Sequence, residues 1–121
     1  MNRKHIVLTS LFGAILILAG ILHFFKPTMY NPFIPDFLPK DVVNYFIGTI
    51  EILLGLGLFV AKYRKMAALG VCLLMIAFLP LHFLDVFKDN PAIGSRLIAY
   101  IRLPLQLVLI YWAWFIRRKS N

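Results

Sequence analysis

Residues 6–25 read IVLTSLFGAILILAGILHFF, a run of twenty residues without a single carboxylate, lysine or arginine. As an α-helix rising 1.5 Å per residue, such a run covers ~30 Å, the thickness of bilayer hydrocarbon. Its apolar residues show no alternation, so it reads as a helix and not as a barrel strand. The MNRKH ahead of it gives the look of a signal peptide. However, the run exceeds the ~7–15 residues of a signal core and lacks a clear A-x-A site. The segment is therefore expected to stay as a first membrane helix.

Working outward, three more apolar runs follow, at 42–61, 66–87 and 97–116. The chain is 61% hydrophobic with a mean hydropathy of +0.83, against the ~45–50% apolar content of soluble domains. A 121-residue soluble core could not bury that much apolar surface. The expectation is one domain, 1–121: an all-α, polytopic membrane four-helix bundle whose natural partner is the lipid bilayer.

Charge placement gives an orientation. Arg3, Lys4, Lys62, Arg64, Lys65, Arg117, Arg118 and Lys119 fall at one end with no acid among them. Lys26, Lys40, Lys88 and Arg96 fall at the other, with Asp36, Asp41, Asp85 and Asp89. The positive-inside rule puts the first set, and both termini, in the cytoplasm. The net charge of +8 thus reports topology and not nucleic-acid binding. The single cysteine, Cys72, excludes an internal disulfide and a CxxC redox pair.

The connector 26–41 carries Pro27, Pro32, Pro35 and Pro39 among Tyr30, Phe33, Ile34, Phe37 and Leu38. Proline at that density forbids a regular helix, and the aromatics make it too apolar for a solvated linker. It should form an ordered loop over the outer end, either an interface anchor or a lid. An internal echo accompanies it. Leu22-His23-Phe24, Asn31-Pro32 and Ile34 recur 59 residues later as Leu81-His82-Phe83, Asn90-Pro91 and Ile93. That spacing suggests a parallel repeat of two helices.

Few ionisable groups lie at membrane depth: Glu51, Arg102, His82 and His23, accompanied by Gln106. Such residues are costly in lipid and are candidates for function. Glu51 lies ~15 Å past Asp41 and Gln106 ~13 Å past Leu97, while His82 and Arg102 are ~7–8 Å inside and His23 is shallower. Asn44, Gly48, Glu51 and Gly55 share one side of the second helix, with Tyr45 beside Asn44. Gly13, Gly20 and His23 share a side of the first, and Ala99, Arg102, Gln106 and Ala113 a side of the fourth. Small residues on a polar stripe permit close helix packing, so these stripes are expected to face one another. Glu51 with Arg102 could form an ion pair that fixes register, or a ligand or proton site; Arg102 could instead snorkel to headgroups. Pro80 and Pro104 free the carbonyls of Ile76 and Tyr100 near His82 and Arg102. No local metal spacing occurs, and no haem, iron–sulfur or flavin motif is visible, so no intrinsic cofactor is expected.

Several of these segments together resemble the DoxX family of small bacterial membrane proteins. They are Gly20-Ile21-Leu22-His23-Phe24, Pro27, Tyr30, Leu38-Pro39, Gly48-Thr49-Ile50-Glu51-Ile52-Leu53-Leu54-Gly55, Pro80-Leu81-His82 and Arg102-Leu103-Pro104-Leu105-Gln106 before Trp112. The G-x-x-E-x-x-x-G and R-L-P-x-Q segments are the most specific. Members often have asparagine near the place of His82. The resemblance implies a four-helix bundle in a bacterial inner membrane and a subunit of a quinone-linked oxidoreductase, with Glu51, Arg102 and Gln106 as motif residues. On this reading the chain binds a quinone-like or other lipophilic ligand in an outer pocket and works with a redox partner protein. No stand-alone catalytic motif is present. The competing readings are a scaffold or assembly factor whose polar cluster is structural, and a small transporter or lipid-modifying enzyme, the transporter requiring a homo-oligomer.

Overall fold

The computed structural model describes residues 1–120 and is all-helical over them. Helix α1 spans Arg3–Phe25, α2 Lys40–Phe59, α3 Arg64–Asp85 and α4 Arg96–Lys119. All four are long and apolar enough, by length and composition, to cross a membrane.

Local chemistry sets the boundaries. Asn2 caps α1, its side chain accepting from the His5 amide at 2.9 Å, and α1 ends two residues before Pro27. Helices α2 and α3 begin and end two residues earlier than their apolar runs suggest. Pro39 stands at the N-cap of α2, where its missing N–H costs nothing. Asp41 in the first turn suits the positive end of the helix dipole. The α2–α3 turn is closed by Arg64, which donates to the carbonyls of Leu58 (2.8 Å) and Phe59 (3.5 Å) at the end of α2. Ser95 caps α4 by accepting from the Ile98 amide. That helix runs on to Lys119, its basic last turn facing the negative end of the dipole.

The connector between α1 and α2 is ordered as two single 3-10 turns, Pro27–Met29 and Asn31–Phe33. Each has proline in its first two positions, where φ is already helical.

The bundle consists of two antiparallel hairpins, α1–α2 and α3–α4, joined along α2 and α3, with α1 and α4 touching only thinly. This division coincides with the 59-residue echo. In the first hairpin the backbones nearly touch. A methyl group on Gly20 would lie 2.6 Å from the Gly48 carbonyl oxygen, and one on Gly55 2.8 Å from that of Gly13. The apolar core sits towards the terminus-bearing end. It is built from Phe12, Leu16 and Leu58, with Ala68, Val71, Cys72 and Met75 of α3 and Ala113 and Ile116 of α4. Of the buried polar residues, Thr9 and Ser120 lie at that same end, while His23, Asn44, Asp85 and Gln106 lie towards the opposite, loop-bearing end.

Candidate functional site

The site forms where α1 crosses over Gly48. A Cβ at Gly48 would lie 2.8 Å from the His23 Cβ, so the absence of a side chain there is what admits the imidazole. One turn to either side of Gly48 stand Asn44 and Glu51. His23 Nδ1 is 2.8 Å from Asn44 Oδ1, and His23 Nε2 is 2.8 Å from Glu51 Oε1. All three residues are buried.

By the glycine pairing, His23 and Glu51 differ in level by six residues, ~9 Å along the axis. Helical Cα–Cβ bonds tilt towards the N-terminus. In an antiparallel pair, His23 and Glu51 therefore lean towards each other, and two side chains of medium length close the gap.

The amide of Asn44 sets the tautomer. Its Nδ2 donates to Asn31 Oδ1 at 2.8 Å and to the Lys40 carbonyl at 3.0 Å. Its Oδ1 therefore faces His23 and must accept, so Nδ1 carries a hydrogen. Only Nε2 is left to meet the carboxylate. Imidazolium with carboxylate is one stable arrangement; neutral imidazole accepting from a carboxylic acid is the other. In both, the two buried groups stand close enough to share a proton. Glu51 Oε1 has this contact but no well-aligned hydrogen-bond donor, an arrangement that leaves the carboxylate dependent on a single neighbour.

The loop covers the imidazole. Tyr30 stacks on His23 with ring centroids 3.6 Å apart and planes 16° from parallel. Its hydroxyl donates to the Ala19 carbonyl at 3.2 Å. Burial, and secondarily the charge of Glu51, push the Tyr30 phenol above its ordinary value. Lys40 ties the loop down by donating to the carbonyls of Asn31 (3.2 Å) and Ile34 (3.0 Å), with Asp36 3.6 Å away.

The structure thus brings together His23, Asn44 and Glu51 from the sequence candidates and leaves the others elsewhere. Of the readings open for Glu51 and Arg102, the ion pair between them does not form: Glu51 meets His23, and Arg102 makes no ion pair among the described residues. Tyr45 is exposed and stacks on Phe24 on the outer surface of the hairpin, at ring centroids 5.3 Å apart. A step of one residue turns it ~100° away from Asn44. Gln106 is fully buried but belongs to the α3–α4 hairpin, donating to the Met75 carbonyl at 2.6 Å while its Oε1 has no partner. That carbonyl neighbours the one freed by Pro80 at Ile76. His82 is half-buried, edge-on to Phe33.

Three residues escaped the sequence reading. Tyr30 and Asn31 are the loop's contribution to the cluster; only their place in the family resemblance and in the internal echo set them apart. Asp85, counted there only among the charges of the outer end, is buried and accepts from the amides of Ala92 (2.6 Å) and Ile93 (3.2 Å), organising the α3–α4 connector. No group of three potential metal ligands occurs among the described residues.

Two apolar grooves indent the surface. One of about 340 Å³ lies between α2 and α3, lined by Leu54, Gly57, Val60, Tyr63 and Met66 among others. The other, of about 350 Å³, lies between α1 and α4, lined by Leu8, Val108, Tyr111, Trp112 and Phe115. Both are near the terminus-bearing end, away from His23 and Glu51. Residues 12–117 match the model of a family described as a domain of unknown function, DUF8561. No curated protein and no solved structure matches the chain.

Proposed function

We propose that this chain, which belongs to the DUF8561 family, is a membrane subunit of a redox system that binds a quinone-like carbonyl compound at its loop-bearing end. The observation that carries this reading is the His23–Glu51 pair. It sets a buried imidazole nitrogen 2.8 Å from a buried carboxylate, close enough to pass a proton, placed where a lipophilic molecule in the bilayer can reach it once Tyr30 moves aside. Reducing a quinone to a quinol takes two electrons and two protons. The pair would donate to a carbonyl oxygen through Nε2 and supply one of those protons. The second would come from water on the loop side, and the electrons from a partner protein. Asn44 would hold the imidazole in register throughout. The redox setting itself rests on the resemblance of the Glu51 and Arg102 segments to DoxX proteins.

A second reading is favoured by a different observation. The imidazole is partnered on both nitrogens, is stacked on one face, and has neither groove beside it. On that reading the cluster is a clasp fixing the α1–α2 register in a non-catalytic scaffold.

One experiment separates the two. The protein is purified with its native lipids, bound small molecules are extracted, and thermal stability is followed against a short-chain ubiquinone analogue. The redox reading expects co-purified quinone and a quinone-dependent rise in Tm that Glu51→Gln abolishes. Phospholipid alone in the extract, with no quinone-dependent shift, leaves the clasp as the function of the cluster.

A further inference from the structure

Arg102 stands six residues into α4, ~9 Å along the helix from the loop-bearing end. Because α4 starts at that end, the Cβ of Arg102 tilts back towards it, and a long aliphatic stem can carry the guanidinium further the same way. The residue is half-buried, and its Nη1 is buried without any hydrogen-bond partner.

Among the described residues no acid pairs with it. Glu51 is taken by His23. Asp36 pairs with Lys40. Asp85 is committed to the amides of Ala92 and Ile93, with Lys88 3.9 Å away. Asp41 and Asp89 are exposed, and neither bridges to Arg102 among the described residues. Nor does its Nη1 bond to the carbonyls that Pro80 and Pro104 leave without a helical donor, at Ile76 and Tyr100.

An unpaired guanidinium at this depth is costly, and the surroundings that can supply a partner are the lipids themselves. We infer that Arg102 binds the phosphate of a phospholipid from the loop-side leaflet, the headgroup reaching down along α4 to Nε and Nη2, the guanidinium nitrogens that the protein leaves accessible, while Nη1 is enclosed by the protein. Phosphate is the matching chemistry because a planar guanidinium can offer it two parallel N–H donors. The site is separate from His23 and Glu51, so it stands or falls independently of the redox reading.

The test is made on the full-length protein in detergent. Retained lipids are counted by native mass spectrometry, and Tm is followed on adding phosphatidylglycerol, phosphatidylcholine, a phosphate-free monoglyceride or inorganic phosphate. Wild type should keep one phospholipid that survives delipidation and should gain several degrees with either phospholipid but not with the monoglyceride. Arg102→Leu should lose that lipid at least tenfold, and Arg102→Lys, which keeps the charge but not the fork, should hold it more weakly than wild type. Equal stabilisation by the monoglyceride, or undiminished retention in folded Arg102→Leu, overturns the proposal. Inorganic phosphate matching the phospholipids overturns the lipid source while supporting phosphate recognition. If Arg102→Leu does not fold, the four additions to wild type still decide.

Discussion

The two hairpins share a topology and differ in what they do with polar groups. In α1–α2 the backbones meet through Gly13, Gly20, Gly48 and Gly55. Over that contact His23, Asn44 and Asn31 are hydrogen-bonded, and Glu51 Oε1, though without a well-aligned donor, faces His23 Nε2 at 2.8 Å. In α3–α4 the helices are spaced by Ala68, Val71, Cys72, Met75 and Ala113, and Arg102 Nη1, Gln106 Oε1 and Trp112 Nε1 are left without partners. The 59-residue echo makes the contrast sharper. His82 occupies the place of His23, but Leu103 and Ile110 stand where Asn44 and Glu51 would, and Leu107 and Trp114 where Gly48 and Gly55 would. A histidine alone does not make this site. It needs a glycine beneath it and polar residues one turn to either side, and only the first hairpin has them.

The strongest way to break the comparison is to put a side chain under the imidazole. Gly48→Leu would drive carbon into the Gly20 carbonyl oxygen and the His23 Cβ, both 2.8 Å from the first added atom. Neither can yield without moving α1, so the expected cost is at the upper end of the ~1–3 kcal/mol for overpacking, or beyond it. The variant should lose monodispersity and most of its folded yield. Leu107→Gly, the matching exchange in the other hairpin, removes a side chain that is 56% exposed and should fold. A wild-type melting temperature for Gly48→Leu would show that the glycine contact does not hold the hairpin.

Next in size is the buried pair. Removing one member leaves the other buried and unmatched, about 3–5 kcal/mol for a charge pair, so Glu51→Leu and His23→Leu should each melt well below wild type. The double variant should lose less than the sum of the two, because it leaves no orphan on that pair. Strict additivity would mean that the 2.8 Å contact contributes nothing to the hairpin. Gln106→Leu is the counterpart in α3–α4. It forfeits one bond to Met75 but also removes the orphaned Oε1, so a change under about 1 kcal/mol is expected, in line with interhelical hydrogen bonds in membranes. A loss as large as that of Glu51→Leu would erase the distinction between the hairpins.

The sequence carried the four helices because their length and hydropathy are set by the bilayer, not by packing detail. It also carried the two facing stripes, Gly13-Gly20-His23 and Asn44-Gly48-Glu51-Gly55, since helical spacing puts each on one side. It did not carry who pairs with whom. Depth arithmetic set Glu51 near the midplane and His23 near the surface, so Arg102 was weighed as a counter-charge for Glu51 and His23 was not. That arithmetic follows Cα positions and ignores the opposed tilt of side chains in antiparallel helices. Loop geometry was equally out of reach: nothing in Pro27 to Pro39 states that Tyr30 will lie flat on a particular imidazole.

The smallest expected effect concerns that stacked tyrosine, and it tests whether the first hairpin is closed from above. Tyr30 holds its phenol proton more tightly in the fold, first through burial and second through the charge of Glu51. Below the ordinary phenol value of about 10, folded and unfolded chains are both protonated there, and Tyr30 adds no pH dependence. Above it the unfolded chain ionises first, so stability should fall as pH rises further. Followed by tyrosinate absorbance, one of the five tyrosines should ionise late. Tyr30→Phe should remove that late step, together with the bond to Ala19, at a cost of about 1 kcal/mol near neutral pH. Glu51→Gln should bring the step earlier without abolishing it, because burial is the larger cause. A late step that persists in Tyr30→Phe would mean that the delayed phenol is not Tyr30, that its ring does not cover His23 in the membrane, and that the first hairpin is as open at its loop end as the second.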